Sequence, residues 1–339
     1  MFNAIFAQII LMLTCFSPAN DIAPPAQPTQ GPGGADYQHE SVRQSDFAEE
    51  EDGYWLYEPA EPRPEKAPVI VFTHGYGAYN PMIYGGWIKH LVRKGNIVIF
   101  PRYQKNLWVP APDFFVGNAA KGIRDALIQL DTGDHVKPVL EGLSLVGHSY
   151  GGVISANLAV NFDTLGIPKP VSVFLCSPGS GPFSGGVLDS YEAMPSDMQL
   201  LMMVSENDHV VGDRLANHIF KTATQVEKRN LIRQYEDTHG KPKIQAGHNE
   251  SYYLDKELDS GLRNMSARRA LKVASKDAVD YYAYWKLYDA LLDCSRNSQS
   301  CHIAFGNSLQ QRFMGYWSDG TAVRELEVET PNTVLSEKH

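Results

Sequence analysis

Gly147-His148-Ser149-Tyr150-Gly151 reads G-x-S-x-G and stands between an apolar run, Leu143 to Val146, and small residues with helical character. A serine in that setting sits on a sharp strand-to-helix turn that lifts its hydroxyl clear of the backbone. Only glycine-sized residues fit two positions either side. The helix that follows aims its N-terminal amides, and the positive end of its dipole, at whatever the serine attacks. The pattern suits a nucleophilic Ser149, with Gly147, His148 and Gly151 shaping the elbow. Such a serine needs a base to take its proton and a third group to orient that base.

The third group is expected after a later strand. The segment SENDHVVGD offers Glu206, Asp208 and Asp213. Asp208 stands three residues past the last clear strand residue, and Val210 and Val211 can pack its loop down, so Asp208 is the expected acid. The histidines beyond it are His209, His218, His239, His248, His302 and His339. His209 is too close to Asp208 in sequence, and His218 falls on a helical pattern. His239 and His248 both follow the strand expected to be the last. His248 has a glycine before it and a helix-start signature after it, which makes it the expected base and His239 the alternative. In Thr73-His74-Gly75-Tyr76-Gly77-Ala78 the glycines let backbone approach a substrate oxygen. The Tyr76 amide and the Tyr150 amide would together make a two-donor oxyanion hole. His74 reads as a brace for that loop.

The elements that must hold these groups can be read from hydrophobic runs. YWLYEP, PVIVFTHG, NIVIFPRY, the serine strand, VSVFLCSPG, QLLMMVSEND and LIRQYED are strand-like, and amphipathic patterns such as WIKHLVRKG and AAKGIRDALIQL lie between several of them. Strands that are nearly unbroken Val/Ile/Leu/Phe runs imply a mostly parallel sheet covered by helices on both faces, an α/β fold. Sites in such sheets lie beyond the carboxyl ends of the strands, where each segment above falls.

HGYGA (74–78), GHSYGG (147–152), ENDHVV (206–211) and AGHNE (246–250) together resemble the α/β-hydrolase superfamily. Within it the likeness is to dienelactone-hydrolase-like, chlorophyllase-like and platelet-activating-factor-acetylhydrolase-like esterases, over roughly residues 37–254. A dienelactone hydrolase proper carries a cysteine nucleophile; Ser149 occupies that position here, so its substrate is not implied. The resemblance implies a serine hydrolase that cleaves carboxylic esters through an acyl-enzyme, with a small-molecule ester as substrate. Thioester, amide or peptide hydrolysis on the same residues is the alternative, followed by a non-catalytic binding member of the fold.

The chain has 339 residues, 43% hydrophobic, with a formal net charge of -9. That is enough for one large domain, and the acidic balance leaves no basic stripe for nucleic acid. No C-x-x-C or His-rich pattern occurs, so neither a metal nor a cofactor is expected. Residues 1–19 read as a signal peptide, because the apolar run Phe2 to Phe16 is short and is followed by Ser17-Pro18-Ala19. A lipid anchor at Cys15 is the alternative, and no stable membrane span is expected. The expected location is therefore secreted or periplasmic, where Cys294 and Cys301 could pair and Cys176 would stay a buried thiol. Residues 20–36, rich in Pro, Gly, Ala and Gln, read as a disordered leader. Residues 37–339 are expected to form a single α/β-hydrolase domain, with an extension from about 255. Oligomeric state is not legible.

Two further expectations concern the pocket. DAVDYYAYWKLYDALLDCS (277–295) reads as a long aromatic helix that packs on the sheet. Tyr76, Tyr79, Tyr84, Trp87, Trp108, Phe114 and Phe115 are expected to form a broad apolar wall around the site. The connection from Ser177 to Asp197 is short of helix formers, so a rim rather than a helical lid is expected there.

Overall fold

A computed structural model describes residues 21–108, 111–182 and 185–331; the expected signal peptide lies outside them. The described strands are β1 (Val42–Phe47), β2 (Tyr54–Pro59), β3 (Lys66–Thr73), β4 (Ile97–Pro101), β5 (Lys137–His148), β6 (Ser172–Cys176), β7 (Gln199–Ser205), β8 (Arg229–Gln234) and β9 (Glu327–Glu329). They form one sheet in the order β1-β2-β4-β3-β5-β6-β7-β8-β9. β4, β3, β5, β6, β7 and β8 are parallel, while β1, β2 and β9 run antiparallel at the two edges. Parallel neighbours require crossovers, and helices supply most of them: α1 (Gly85–Arg93), α2 (Pro112–Thr132), α3 (Tyr150–Val160) and α4 (Arg214–Thr222).

Alternation along β3 shows how one strand serves two cores. Val69 and Val71 belong to the core that holds α2 and α3, whereas Ile70 and Phe72 belong to the one that holds α1 and the C-terminal helices. Burial on both faces is why the run is apolar without a break. Each such side chain contributes about 1.5–3 kcal/mol of transfer free energy.

Residues after 254 pack on the same sheet. α5 (Met265–Val273) leads to a π-helical turn (Asp280–Trp285) that continues as α6 (Lys286–Asn297). The expected long helix is thus present with a π turn in it, and Tyr281, Tyr284, Trp285 and Tyr288 are buried on it. Trp87 of α1 meets Tyr284 and Tyr288 edge-on at 5.8 and 6.0 Å, and Tyr288 donates to Ser144 Oγ on β5 at 3.0 Å. Cys294 and Cys301 form a disulfide at the end of α6, and Cys176 is a buried thiol.

Three expectations need correction. β8 is not the last strand, since β9 pairs antiparallel with it. Three residues at a sheet edge, only one of them buried, carry too little hydrophobic pattern to be read. The stretch expected to be a disordered leader is irregular but fastened, over its described residues 21–36. Gly33 N–H donates to Asp289 at 2.8 Å, Ser318 N–H to the Ala23 carbonyl at 3.0 Å, and Lys241 N–H to the Ile22 carbonyl at 2.7 Å. Composition reports how little apolar surface a segment can bury, but not which distant groups its backbone can bond. The aromatic wall is the third correction and is taken up with the site.

Candidate active site

Ser149 is the residue between β5 and α3, with φ 56° and ψ −121°, a left-handed conformation that a non-glycine residue rarely adopts. The surroundings hold it there. Its N–H donates to the Cys176 carbonyl at 2.9 Å, and its own carbonyl accepts from Gly152 and Gly179 at 2.9 and 3.1 Å. The elbow is also too tight for side chains. A Cβ on Gly147 would meet the Gly151 carbonyl oxygen at 2.3 Å, and one on Gly151 would meet the Thr73 oxygen at 2.1 Å.

The loops after β7 and β8 bring the other two groups. Asn207 N–H donates to the Ala246 carbonyl at 2.9 Å, which clips the acid loop to the histidine loop. His248 then stands with Nε2 2.9 Å from Ser149 Oγ and Nδ1 2.7 Å from Asp208 Oδ2. A carboxylate only accepts, so Nδ1 carries the proton and Nε2 is left to accept from the serine hydroxyl. Asp208 is fixed in turn, its Oδ1 accepting from the Val210 and Val211 amides at 2.9 and 3.1 Å. Burial alone would raise the Asp208 carboxyl. The His248 hydrogen bond and charge, with the Val211 and Val210 amides, outweigh it and hold the group below its ordinary value.

The other candidates lie elsewhere. His239 is 2.8 Å from Asp319 near the surface, and His218 Nε2 lies 3.1 Å from the Leu188 carbonyl. His209 and His302 are exposed, and His339 is outside the described residues. Glu206 accepts from the Glu236 amide and faces Arg324, while Asp213 pairs with Arg233.

Tyr76 and Tyr150 both line the cleft over Ser149. The amides flanking Tyr76 are committed elsewhere: Gly75 N–H donates to Tyr84 Oη at 2.9 Å and Gly77 N–H to Gln104 Oε1 at 2.7 Å. Two further residues hold this segment from the far end of the chain. Ser266 Oγ donates to the Tyr76 carbonyl at 3.3 Å, and Asn264 Nδ2 to the Gly77 carbonyl at 2.6 Å. The roles of Gln104, Asn264 and Ser266 were not legible from motif spacing. Asn264 alone carries a local signal, as an N-cap residue before a helix. His74 braces the loop from within: it is fully buried, its Nε2 lies 2.7 Å from the Arg102 carbonyl, and it stacks on Tyr103 with ring centres 4.0 Å apart. Burial lowers its imidazole to about 4, against the two carbonyls that would raise it.

The expected aromatic wall is mostly absent. Tyr79, Tyr84, Trp87 and Phe115 are core residues, and Trp108 and Phe114 are exposed to 87% and 67%. Only Tyr76 of that set lines the cleft. Aromatics in core-facing and pocket-facing positions have the same composition, and it is packing on the sheet that sorts them. The cleft is about 200 Å³, with Tyr150, Val211, Tyr252, Ser266 and Arg269 among its walls. Past Val210 and Val211 it adjoins a second groove of about 510 Å³, bounded by Val187, Leu188 and Leu215. Between Ser177 and Asp197 the described residues contain no helix, in keeping with a rim. A larger cleft of about 620 Å³ lies between the leader and α6, at the amino ends of the strands and away from Ser149.

The sequence pattern of the chlorophyllase family matches residues 56–174, about a third of the chain. Taken with the mostly parallel sheet, that gives the fold class. The chain has the α/β-hydrolase fold. The matched stretch runs from β2 into β6 and includes the Tyr76 segment and the Ser149 elbow, while Asp208 and His248 lie beyond it. No curated protein matches the chain. Among the described residues, no helix is long and apolar enough to cross a membrane.

Proposed function

We propose that this protein is a serine carboxylester hydrolase acting through an acyl-enzyme. The observation that carries the reading is the unbroken line from Ser149 Oγ through His248 to Asp208, opening on a cleft. In the reaction Ser149 Oγ attacks the ester carbonyl carbon while His248 Nε2 takes the hydroxyl proton. Asp208 holds the imidazole in the required tautomer and offsets the charge it gains. The Tyr76 and Tyr150 amides receive the oxyanion. His248 then returns the proton to the departing alcohol, and water repeats the sequence on the acyl-enzyme.

The small cleft beside Ser149 supports short-to-medium acyl or aromatic esters, and the absence of a helix over the described rim supports action on dissolved substrate. The Cys294–Cys301 disulfide supports a secreted or periplasmic setting, since such bonds persist in oxidising compartments. The test is Ser149→Ala measured on p-nitrophenyl esters of rising acyl length, together with fluorophosphonate labelling. Turnover should fall by about 10⁶-fold and labelling should vanish. A tenth of the wild-type rate in the variant would overturn the assignment.

A further inference from the structure

We propose that Tyr84 and His148 are positioning residues that lock the oxyanion segment, the nucleophile and the base into one fixed arrangement. The inference rests on the hydrolytic reading above and assigns two residues that this reading does not use.

The geometry is a single buried line. Gly75 N–H donates to Tyr84 Oη at 2.9 Å. Tyr84 Oη lies 2.9 Å from His148 Nδ1, and His148 Nε2 lies 2.8 Å from the His248 carbonyl oxygen. Both side chains are fully buried. Each end of the line lies on a different part of the site. Gly75 precedes Tyr76 after β3, His148 precedes Ser149 at the end of β5, and His248 sits on the loop after β8.

Counting protons gives every bond a direction. A carbonyl oxygen only accepts, so His148 Nε2 must carry a hydrogen. Burial, first, and the nearby His248 charge lower the His148 imidazole to about 3, so at neutral pH it has no second hydrogen. Nδ1 is therefore an acceptor, Tyr84 O–H donates to it, and the tyrosine oxygen keeps lone pairs for Gly75 N–H. No member of the line can reverse without leaving a buried partner unsatisfied, which makes it stiff. Tyr252 closes the arrangement, meeting the Tyr84 and His148 rings at 5.2 and 5.3 Å.

This bears on chemistry in two ways. His248 becomes an imidazolium during turnover, with the His148 ring centre 4.9 Å away; a second cation there would oppose that charge, and the neutral ring does not. Errors of about 1 Å between reacting groups cost about 10²-fold in rate, so a strut between the three loops is read directly in turnover.

The experiment compares the full chain with Tyr84→Phe, His148→Leu, His148→Gln and Ser149→Ala, measuring kcat, KM, the rate constant of fluorophosphonate labelling and Tm. Tyr84→Phe keeps the packed ring and removes only the hydroxyl. Its kcat and labelling rate should fall about 10- to 100-fold, with KM changed less than about threefold. His148→Leu should show the same split. His148→Gln keeps one donor and one acceptor and should recover most of that loss, which a space-filling role would not produce. A Tyr84→Phe enzyme within twofold of wild-type kcat, or a His148→Gln enzyme as slow as His148→Leu, would overturn the proposal. Should His148→Leu not fold, Tyr84→Phe and His148→Gln decide it. An active Ser149→Ala would sink the hydrolytic reading itself, whereas an inactive Ser149→Ala beside a full-speed Tyr84→Phe would sink this inference alone.

Discussion

Asn264 Nδ2 donates to the carbonyl of Gly77 at 2.6 Å, joining the start of α5 to the segment that carries the Tyr76 amide. The same side chain caps α5 by accepting from the Ala267 amide at 2.9 Å. Asn264→Ala removes both bonds. Loss of the cap should cost about 1 kcal/mol, read as a lower urea midpoint with unchanged slope. Turnover should fall further than that stability loss explains, because the oxyanion segment loosens. Asn264→Asp restores the cap but not the donor, so it should recover stability and not rate.

The choice of base can be separated from the choice of fold. His248→Ala should be as inactive as Ser149→Ala. His239→Ala should keep wild-type kcat and lose a near-surface contact with Asp319, worth about 0.5 kcal/mol, and a ring contact with Trp317. The reverse pattern in paired ester assays would overturn the assignment.

Asp208→Asn should leave the protein folded and slow, by about 10⁴ in kcat, because the imidazole would then favour the wrong tautomer. Glu206→Gln serves as the control, since Glu206 points at Glu236 and Arg324 rather than at His248, and its kcat should be unchanged.

Glu250 predicts a pH dependence of stability. Its Oε1 accepts from Gly247 N–H at 2.9 Å, tightening the turn that bears His248. Burial, then the charges of Asp277 and Glu236, push the carboxyl up to about 7 from 4.5, against the Gly247 amide and Lys243. The folded state therefore binds this proton more tightly than the unfolded chain does. The resulting stability is fully present below about 4.5 and is lost as pH rises through about 7, up to about 3 kcal/mol. Glu250→Gln keeps the acceptor oxygen and removes the charge. Its Tm should match wild type near pH 4.5 and exceed it at pH 8.5; equal values at both would contradict this.

The disulfide closes a loop with a sequence separation of 7. The chain-entropy relation gives about 2.5 kcal/mol for it, so Cys294→Ser with Cys301→Ser should lower the unfolding free energy by about that much. Reductant should then no longer shift the Tm of the double variant.

The parallel sheet and the meeting of Ser149, Asp208 and His248 were legible because each depends on short-range pattern. VIVF announces a strand buried on both faces, and the ends of such strands must lie at one edge of the sheet. What was not legible depends on who meets whom across the chain. Tyr84 and Trp87 stand in the same short stretch as Tyr76, but the first two fall on the face of α1 and its leading turn that packs against the sheet, so they cannot wall a pocket. The Tyr84–His148 line is invisible for the same reason: a tyrosine and a histidine 64 positions apart carry no mutual signal. β9 needs β8 in place before three residues with one buried side chain count as a strand.

The fastened leader has a consequence for synthesis. Residues 22–33 are made early, yet Lys241, Tyr282, Asp289 and Ser318, to which they bond, leave the ribosome much later. Until then this stretch has only nearer partners such as Tyr37 and Lys94, and the front of the protein is completed by its back. Shortening the chain from its far end therefore unfastens its near end.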